Sequence, residues 1–294
     1  MQDLRITILQ SNLYWERIDQ NLENFSRQIA NLKDETDLII LPEMFNTGFT
    51  MNTAAVSEKM HGKTMLWMQN QSRAKNCVVT GSLIIEEQEK HYNRLLWIRP
   101  DGTFEVYDKR HLFRMSGEDI PFSHGHQRIV TDLKGWKICP LICYDLRFPA
   151  WGRNKWTFPV EPRELRERGE RGEKRELGEP RNEKRIENLK ADYDVLLYIA
   201  SWPEKRIHPW KSLLIARAIE NQAYTVGVNR IGTDGNKEHY SGDSVVINFK
   251  GETISKIKPN EESAETVTIS YNDLENFRNQ FPVGLDADNL EILK

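Results

Sequence analysis

GWKICPLICYDLRFP, residues 135–149, sets an apolar run at 136–142 directly ahead of Cys-Tyr-Asp-Leu-Arg-Phe-Pro. The run is short, apolar and bounded by polar residues, the pattern of a strand buried on both faces. The residues after it read as a turn entering a helix through Leu146, Arg147 and Phe148, and a buried strand that passes at once into a helix belongs to mixed α/β folds. Two of the chain's three cysteines lie here. Cys139 sits inside the apolar run, where a thiol acts as a small hydrophobe and burial raises its pKa, so it is expected to be an inert core residue. Cys77, which opens the apolar stretch CVVTGSLII, takes the same reading. Cys143 differs because it ends the strand. A residue at a strand-to-helix elbow exposes its side chain at the sheet edge, with the N–H groups of the helix start aimed at a reacting oxygen, which suits a nucleophile. Position alone leaves a buried structural cysteine open as the alternative.

Outward from this stretch, further strand patterns occur at 5–10, 37–43, 77–85, 194–201, 223–229 and 244–249. Helical patterns alternate with them. Between the first two strands, Ile18, Leu22, Phe25, Ile29 and Leu32 recur at steps of three and four, one apolar face of a helix that packs on a sheet. Two hairpins are predicted, 94–109 turning at Asp101 and Gly102, and 245–257 turning at Lys250 and Gly251.

The 294 residues can be held as one α/β unit. With 41 basic and 44 acidic residues the formal charge is −3, which gives no basic footprint for nucleic acid or an anionic membrane. The N-terminal MQDLRITILQSN lacks the pattern of a signal peptide, and no apolar run approaches the roughly 20 residues that span a bilayer. A cytoplasmic protein with a small-molecule partner is expected. Three cysteines without zinc-site spacing indicate neither a disulfide framework nor a structural metal. One segment breaks the alternation: residues 155–190 hold 11 Lys/Arg and 9 Glu, with a glutamate at every third position from Glu161 to Glu179. Its glycines and its lack of an apolar stripe favour a solvated excursion over a surface helix, and its balanced charge argues against a nucleic-acid arm.

A nucleophilic thiol needs a base for its proton, and an amide carbonyl under attack needs positive charge at its oxygen. Glu43 ends the second buried strand in LPE, and Lys109 comes after the first hairpin in YDKRHLF. Each alone would pass for a surface charge.

Together, LPEMFNTGF around Glu43, YDKRHLF around Lys109 and GWKICPLICYDLRFP around Cys143 resemble the nitrilase superfamily of carbon–nitrogen hydrolases, whose Glu, Lys and Cys motifs come in this order. The resemblance covers nearly the whole chain and implies a four-layer α-β-β-α sandwich, one domain over 1–294 with the charged stretch at about 155–190 as an insertion. A second glutamate of the family matches Glu118 in MSGEDIPFSHG, and ASW at 200–202 with RAIENQAY at 217–224 matches the strand and helix after the nucleophile. PEMFNTGF, CYDLRFP, YIASWP and RIGTDGNKEHYSGDS most resemble the omega-amidase branch, which hydrolyses the terminal amide of 2-oxo dicarboxylic acid monoamides such as 2-oxoglutaramate and 2-oxosuccinamate.

That resemblance implies a cofactor-free mechanism. Glu43 takes the Cys143 proton, Lys109 and the Tyr144 N–H hold the oxyanion, and a thioester is hydrolysed by water that Glu43 activates; Glu118 supports the site. The far carboxylate of such a substrate calls for a cation, for which Arg114 and Arg206 are the candidates, with Trp202 as an apolar wall. Arg147 is expected to brace the elbow through hydrogen bonds. An N-carbamoyl amino acid or a nitrile is the alternative substrate class, since the catalytic set is shared and only the pocket differs. A metallohydrolase built on His124, His126 and Glu118 lacks a third histidine, and a noncatalytic binding protein would have no need of the whole catalytic set. The resemblance also implies a homodimer.

Overall fold

The computed structural model describes residues 1–157, 189–288, 290 and 292. In the first sheet β1 (Leu4–Gln10), β2 (Leu38–Ile40) and β3 (Val78–Glu87) run parallel, and β4 (Lys90–Ile98) and β5 (Phe104–Asp108) extend it as an antiparallel meander. The helices α1 (Ile18–Ala30), α2 (Thr53–Val56) and α3 (Lys63–Lys75) lie between its parallel strands in sequence. Period-two alternation sorts the side chains: Leu38 and Ile40 point to the second sheet, while Ile39 and Leu41 meet α1 and α3. On α1 the predicted stripe buries Leu22, Phe25 and Ile29. Each such burial contributes about 1.5–3 kcal/mol, against propensity differences of at most about 0.7 kcal/mol per ordinary residue, so packing fixes this helix.

The second sheet has β6 (Thr131–Leu133) at one edge, antiparallel to β7 (Trp136–Ile142). After β7 come the short α4 (Pro149–Gly152), then β8 (Trp156–Thr157) and β9 (Lys190–Ala191), which pair with each other as a separate ribbon. In the sheet itself β10 (Val195–Ala200) lies parallel to β7, with Val195 opposite Ile138 and Ile199 opposite Ile142. The outer helix α5 (Ile207–Asn221) covers β11 (Tyr224–Asn229) through Trp210, Leu214 and Ala218. That approach requires Gly227, where a Cβ would stand 2.5 Å from the Leu214 side chain. A hairpin of β12 (Ile231–Thr233) and β13 (His239–Ser241) precedes β14 (Val245–Ile247), antiparallel to β11. The chain returns to the first sheet as β15 (Ser263–Ile269), antiparallel to β1, and continues into α6 (Tyr271–Gln280). The inner faces of both sheets join in one apolar cluster, from Leu4 and Trp97 on one side to Ile138 and Val226 on the other, giving the four-layer α-β-β-α sandwich.

Several local expectations differ from what forms. The meander has an unpredicted hairpin between β3 and β4, turning at Gln88 and Glu89, both left-handed at φ 51° and 61° without a glycine. The 245–257 hairpin forms but is short: Asn248 N–H donates to the Glu252 carbonyl, Ile247 bridges Thr253, Ile254 N–H donates to the Val246 carbonyl, and the chain then leaves for the other sheet. The charged stretch lies, at 158–188, outside the described residues. Among the described residues no helix is long and apolar enough to cross a membrane.

Candidate active site

Open α/β sheets bind ligands beyond the carboxyl ends of their strands. The candidate site obeys this: Glu43 comes after β2, Lys109 after β5, Cys143 after β7, and Ser201 and Trp202 after β10. Cys143 has φ 45° and opens a tight 3-10 turn, Cys143–Arg147, that α4 continues. A left-handed cysteine persists only where its surroundings over-determine it. Asp145 supplies much of that constraint. Its Oδ2 accepts from the Ile142 N–H at 3.1 Å and the Tyr107 hydroxyl at 2.7 Å; its Oδ1 accepts from the His111 N–H at 3.0 Å and lies 2.7 Å from His111 Nδ1. The residues two before and two after Lys109 thus grip the residue two after Cys143, tying the two motifs together.

Lys109 is fully buried beneath this elbow. Its Nζ stands 2.8 Å from Glu43 Oε1 and 2.9 Å from both Glu118 oxygens. The Ser201 N–H donates to Glu43 Oε2 at 2.8 Å, and the Phe113 N–H to Glu118 Oε2 at 2.5 Å. Burial alone would strip the Lys109 proton, but the charges of Glu118 and Glu43 outweigh it and hold the ammonium well above its usual range. Burial pushes the Glu118 carboxyl up, with Lys109 opposing and Glu43 reinforcing. The Cys143 thiol faces the Ser201 carbonyl at 4.0 Å and the Glu43 carboxylate; burial, then the Glu43 charge, raise its pKa well above that of a free cysteine.

A cavity of about 700 Å³ opens over Cys143 and Lys109. Of the residues predicted from the sequence, Tyr144, Trp202 and Arg206 line it, and Glu43 and Glu118 sit behind its floor at 0% exposure. Arg114 is not brought in: its side chain is exposed on a 3-10 turn and pairs with Asp119 at 3.5 Å. Arg147 corrects the expectation of an elbow brace, because it makes no hydrogen bond among the described residues, stacks over Trp202 at 5.1 Å and lines the cavity. Arg206 stacks likewise over Phe113 at 5.1 Å. The cavity is also lined by Glu16, Asp234, Glu238 and Tyr240, the last three from the β12–β13 hairpin region, where Glu238 pairs with Lys205 at 2.6 Å. Cys77 and Cys139 are buried in the core, where burial raises each thiol to about 12. Among the described residues no three of His, Cys, Asp and Glu come together to hold a metal; His124 and His126 meet edge to face while Glu118 faces Lys109. Sequence reading missed Asn93 and Asp145, the latter in plain view inside CYD.

Comparison with known proteins agrees with this architecture. The carbon-nitrogen hydrolase family model matches residues 5–152 and 181–279. Omega-amidase YafV of Escherichia coli K12 is 38% identical over 292 residues, 99% of this chain and 100% of that protein. The 2-oxoglutaramate amidase of Bacillus subtilis is 26% identical over 254 residues, 85% of each chain. Among solved structures, XC1258 of Xanthomonas campestris, a CN-hydrolase superfamily protein with an arsenic adduct in its active site, superposes with a TM-score of 0.86 at 38% identity over 99% of this chain and 100% of that one. With the family model and two full-length relatives in agreement, the chain belongs to the carbon-nitrogen hydrolases of the nitrilase superfamily.

Proposed function

We propose that this protein is an omega-amidase that hydrolyses the terminal amide of 2-oxo dicarboxylic acid monoamides through a thioester on Cys143. The observation that carries the reading is the buried contact of Lys109 with Glu43 and Glu118 directly below a cavity-lining cysteine, in a chain 38% identical to an omega-amidase along its length. In the first half-reaction Glu43 takes the Cys143 proton as sulfur attacks the amide carbon. Lys109 and the Tyr144 N–H, at the start of the turn where no helical acceptor exists, hold the oxyanion. Glu43 returns the proton to the leaving nitrogen, and ammonia departs. In the second half-reaction Glu43 draws a proton from water as it attacks the thioester, then gives it to the departing sulfur, so the 2-oxo dicarboxylic acid is released and the free enzyme restored without a cofactor. Glu118 holds Lys109 in place.

The far carboxylate of the substrate meets Arg147 or Arg206, whose guanidinium groups lie on aromatic rings with no carboxylate partner among the described residues. Three unpaired thiols suit the reducing cytoplasm, where we place the enzyme as a homodimer in keeping with its superfamily. The family model matches the chain on both sides of residues 153–180, most of the charged stretch, which supports one hydrolase domain carrying an insertion. The test is ammonia release by wild type and Cys143→Ala on 2-oxoglutaramate, 2-oxosuccinamate, glutamine, an N-carbamoyl amino acid and a nitrile. Turnover of the 2-oxo amides that falls by at least about 10³-fold in the variant supports the reading. Cys143-dependent turnover of only another substrate would replace the substrate class and keep the nucleophile.

A further inference from the structure

Asn93 lies in β4 at 0% exposure, in a strand whose neighbours toward its C-terminal end are apolar. A buried amide in such a place is unfavourable unless it is hydrogen-bonded. Its Nδ2 donates to Glu43 Oε1 at 2.8 Å and reaches Glu118 Oε1 at 3.3 Å, and its backbone carbonyl accepts the Lys109 N–H at 3.0 Å. One residue thus holds the lysine by its main chain and both carboxylates by its side chain. Turning the amide over would set an oxygen against the Glu43 carboxylate, two acceptors face to face, so the surroundings fix its orientation. Its Oδ1 accepts no hydrogen bond among the described residues: the donor end is the end in use.

The choice of a neutral donor matters. A second cation between Glu43 and Glu118 would bind them more tightly, but it would also make Glu43 a weaker base. An amide holds the oxygens without adding charge. With Oε1 occupied by Asn93 and Lys109, Oε2 is left to the N–H of Ser201, the residue whose carbonyl faces the Cys143 thiol at 4.0 Å. The charged and titratable groups that face Glu43 are Lys109, Glu118, Cys143 and Tyr240. Building on the proposed role of Glu43 as base, we infer that Asn93 is a positioning residue for proton transfer, holding Glu43 by Oε1 so that Oε2 receives the Cys143 proton.

The test measures the rate of Cys143 alkylation by iodoacetamide against pH, which needs no substrate, alongside kcat and KM on 2-oxoglutaramate. Asn93→Ala is expected to slow alkylation and lower kcat by about 10- to 100-fold with KM within about 2-fold. Asn93→Asp keeps the shape but sets a third carboxylate among the two already there, and like charges crowded together disfavour ionisation, so the acid limb of both profiles should move to higher pH. If Asn93→Ala does not fold, the isosteric Asn93→Asp carries the test alone. A folded Asn93→Ala whose alkylation and kcat stay at wild-type values, or an Asn93→Asp whose pH profiles stay at the wild-type position, would overturn the inference and leave Asn93 a packing residue. Glu43→Gln separates the two layers: alkylation at the wild-type rate in that variant would remove the base reading itself.

Discussion

The floor and the wall of the cavity solve opposite problems. On the floor, Lys109, Glu43, Glu118 and Asn93 are all essentially buried, and each carries at least two hydrogen bonds to the others or to the main chain. On the wall, Arg147 and Arg206 rest on the rings of Trp202 and Phe113 and keep their N–H groups unspent among the described residues. A reaction that develops charge gains most from groups fixed beforehand in a water-poor site. Recognition of a carboxylate gains from donors that are oriented by stacking yet still free to bond. The difference teaches that one cavity holds two kinds of charged group, a floor whose charges are spent on hydrogen bonds and a wall with two stacked cations, which on the proposed function would leave selectivity to the wall.

The comparison breaks first at Asp145, the brace between floor and elbow. Each of its oxygens faces a main-chain donor that cannot turn away, Ile142 N–H on one side and His111 N–H on the other. In Asp145→Asn one of these must therefore meet an NH₂ group, whichever way the amide lies, at a cost of about 1–3 kcal/mol. The expected outcome is a lower melting temperature and a kcat reduced by about 100-fold, because a nucleophile displaced by a fraction of an ångström loses its alignment. Steady-state kinetics and thermal melting check this. A wild-type kcat would mean that the β7–β10 register alone holds Cys143 in its left-handed conformation.

The wall is sharpened by a series of arginine variants. Arg147→Ala is expected to lower kcat/KM for 2-oxoglutaramate by about 10- to 100-fold, the value of a charge-assisted hydrogen bond, with little change for a neutral aliphatic amide. Arg206→Ala should give a smaller loss of the same kind, about 3- to 10-fold. Arg114→Ala should change neither, since its side chain is exposed and spent on Asp119. Parallel kinetics on the charged and neutral amides decide the matter, and equal losses on both would show that these arginines shape the cavity without reading charge.

These differences also mark how far the sequence can be read. Glu43, Lys109 and Cys143 are visible because each ends a strand within a compact motif, and strand ends of an α/β sheet are where ligands bind. Asn93 is not, because its role depends on a partner 50 positions away, and in sequence it is one polar residue in a strand. Asp145 meets Tyr107 across 38 positions. Arg114 and Arg147 both leave their expected places for a simpler reason: the direction of an arginine leaving a 3-10 turn depends on a ring to stack upon, and Trp202 lies on another strand end. The edge strand β15 shows the same limit in the fold. Only Val267 and Ile269 are buried along it, too weak an alternation to find without its partner β1.

The smallest effect is expected where the sequence looks most unusual. The charged stretch leaves the described chain after Thr157 in β8, and the chain is described again from residue 189, just ahead of β9; Trp156 stands opposite Ala191 and Thr157 opposite Lys190. Antiparallel neighbours of this kind can be joined by a two-residue turn, so the fold on either side does not need the intervening residues to close. The ribbon is anchored independently of them, by Trp156 packed against Gly284 and stacked with Arg278 at 5.5 Å. Replacing 159–188 by a short Gly-containing turn should therefore leave the melting temperature unchanged and kcat/KM within about 2-fold of wild type. A deletion protein that melts like wild type but has lost kcat/KM would show that catalysis depends on the stretch, and the division between a fixed floor and a selective wall would then need a third contributor.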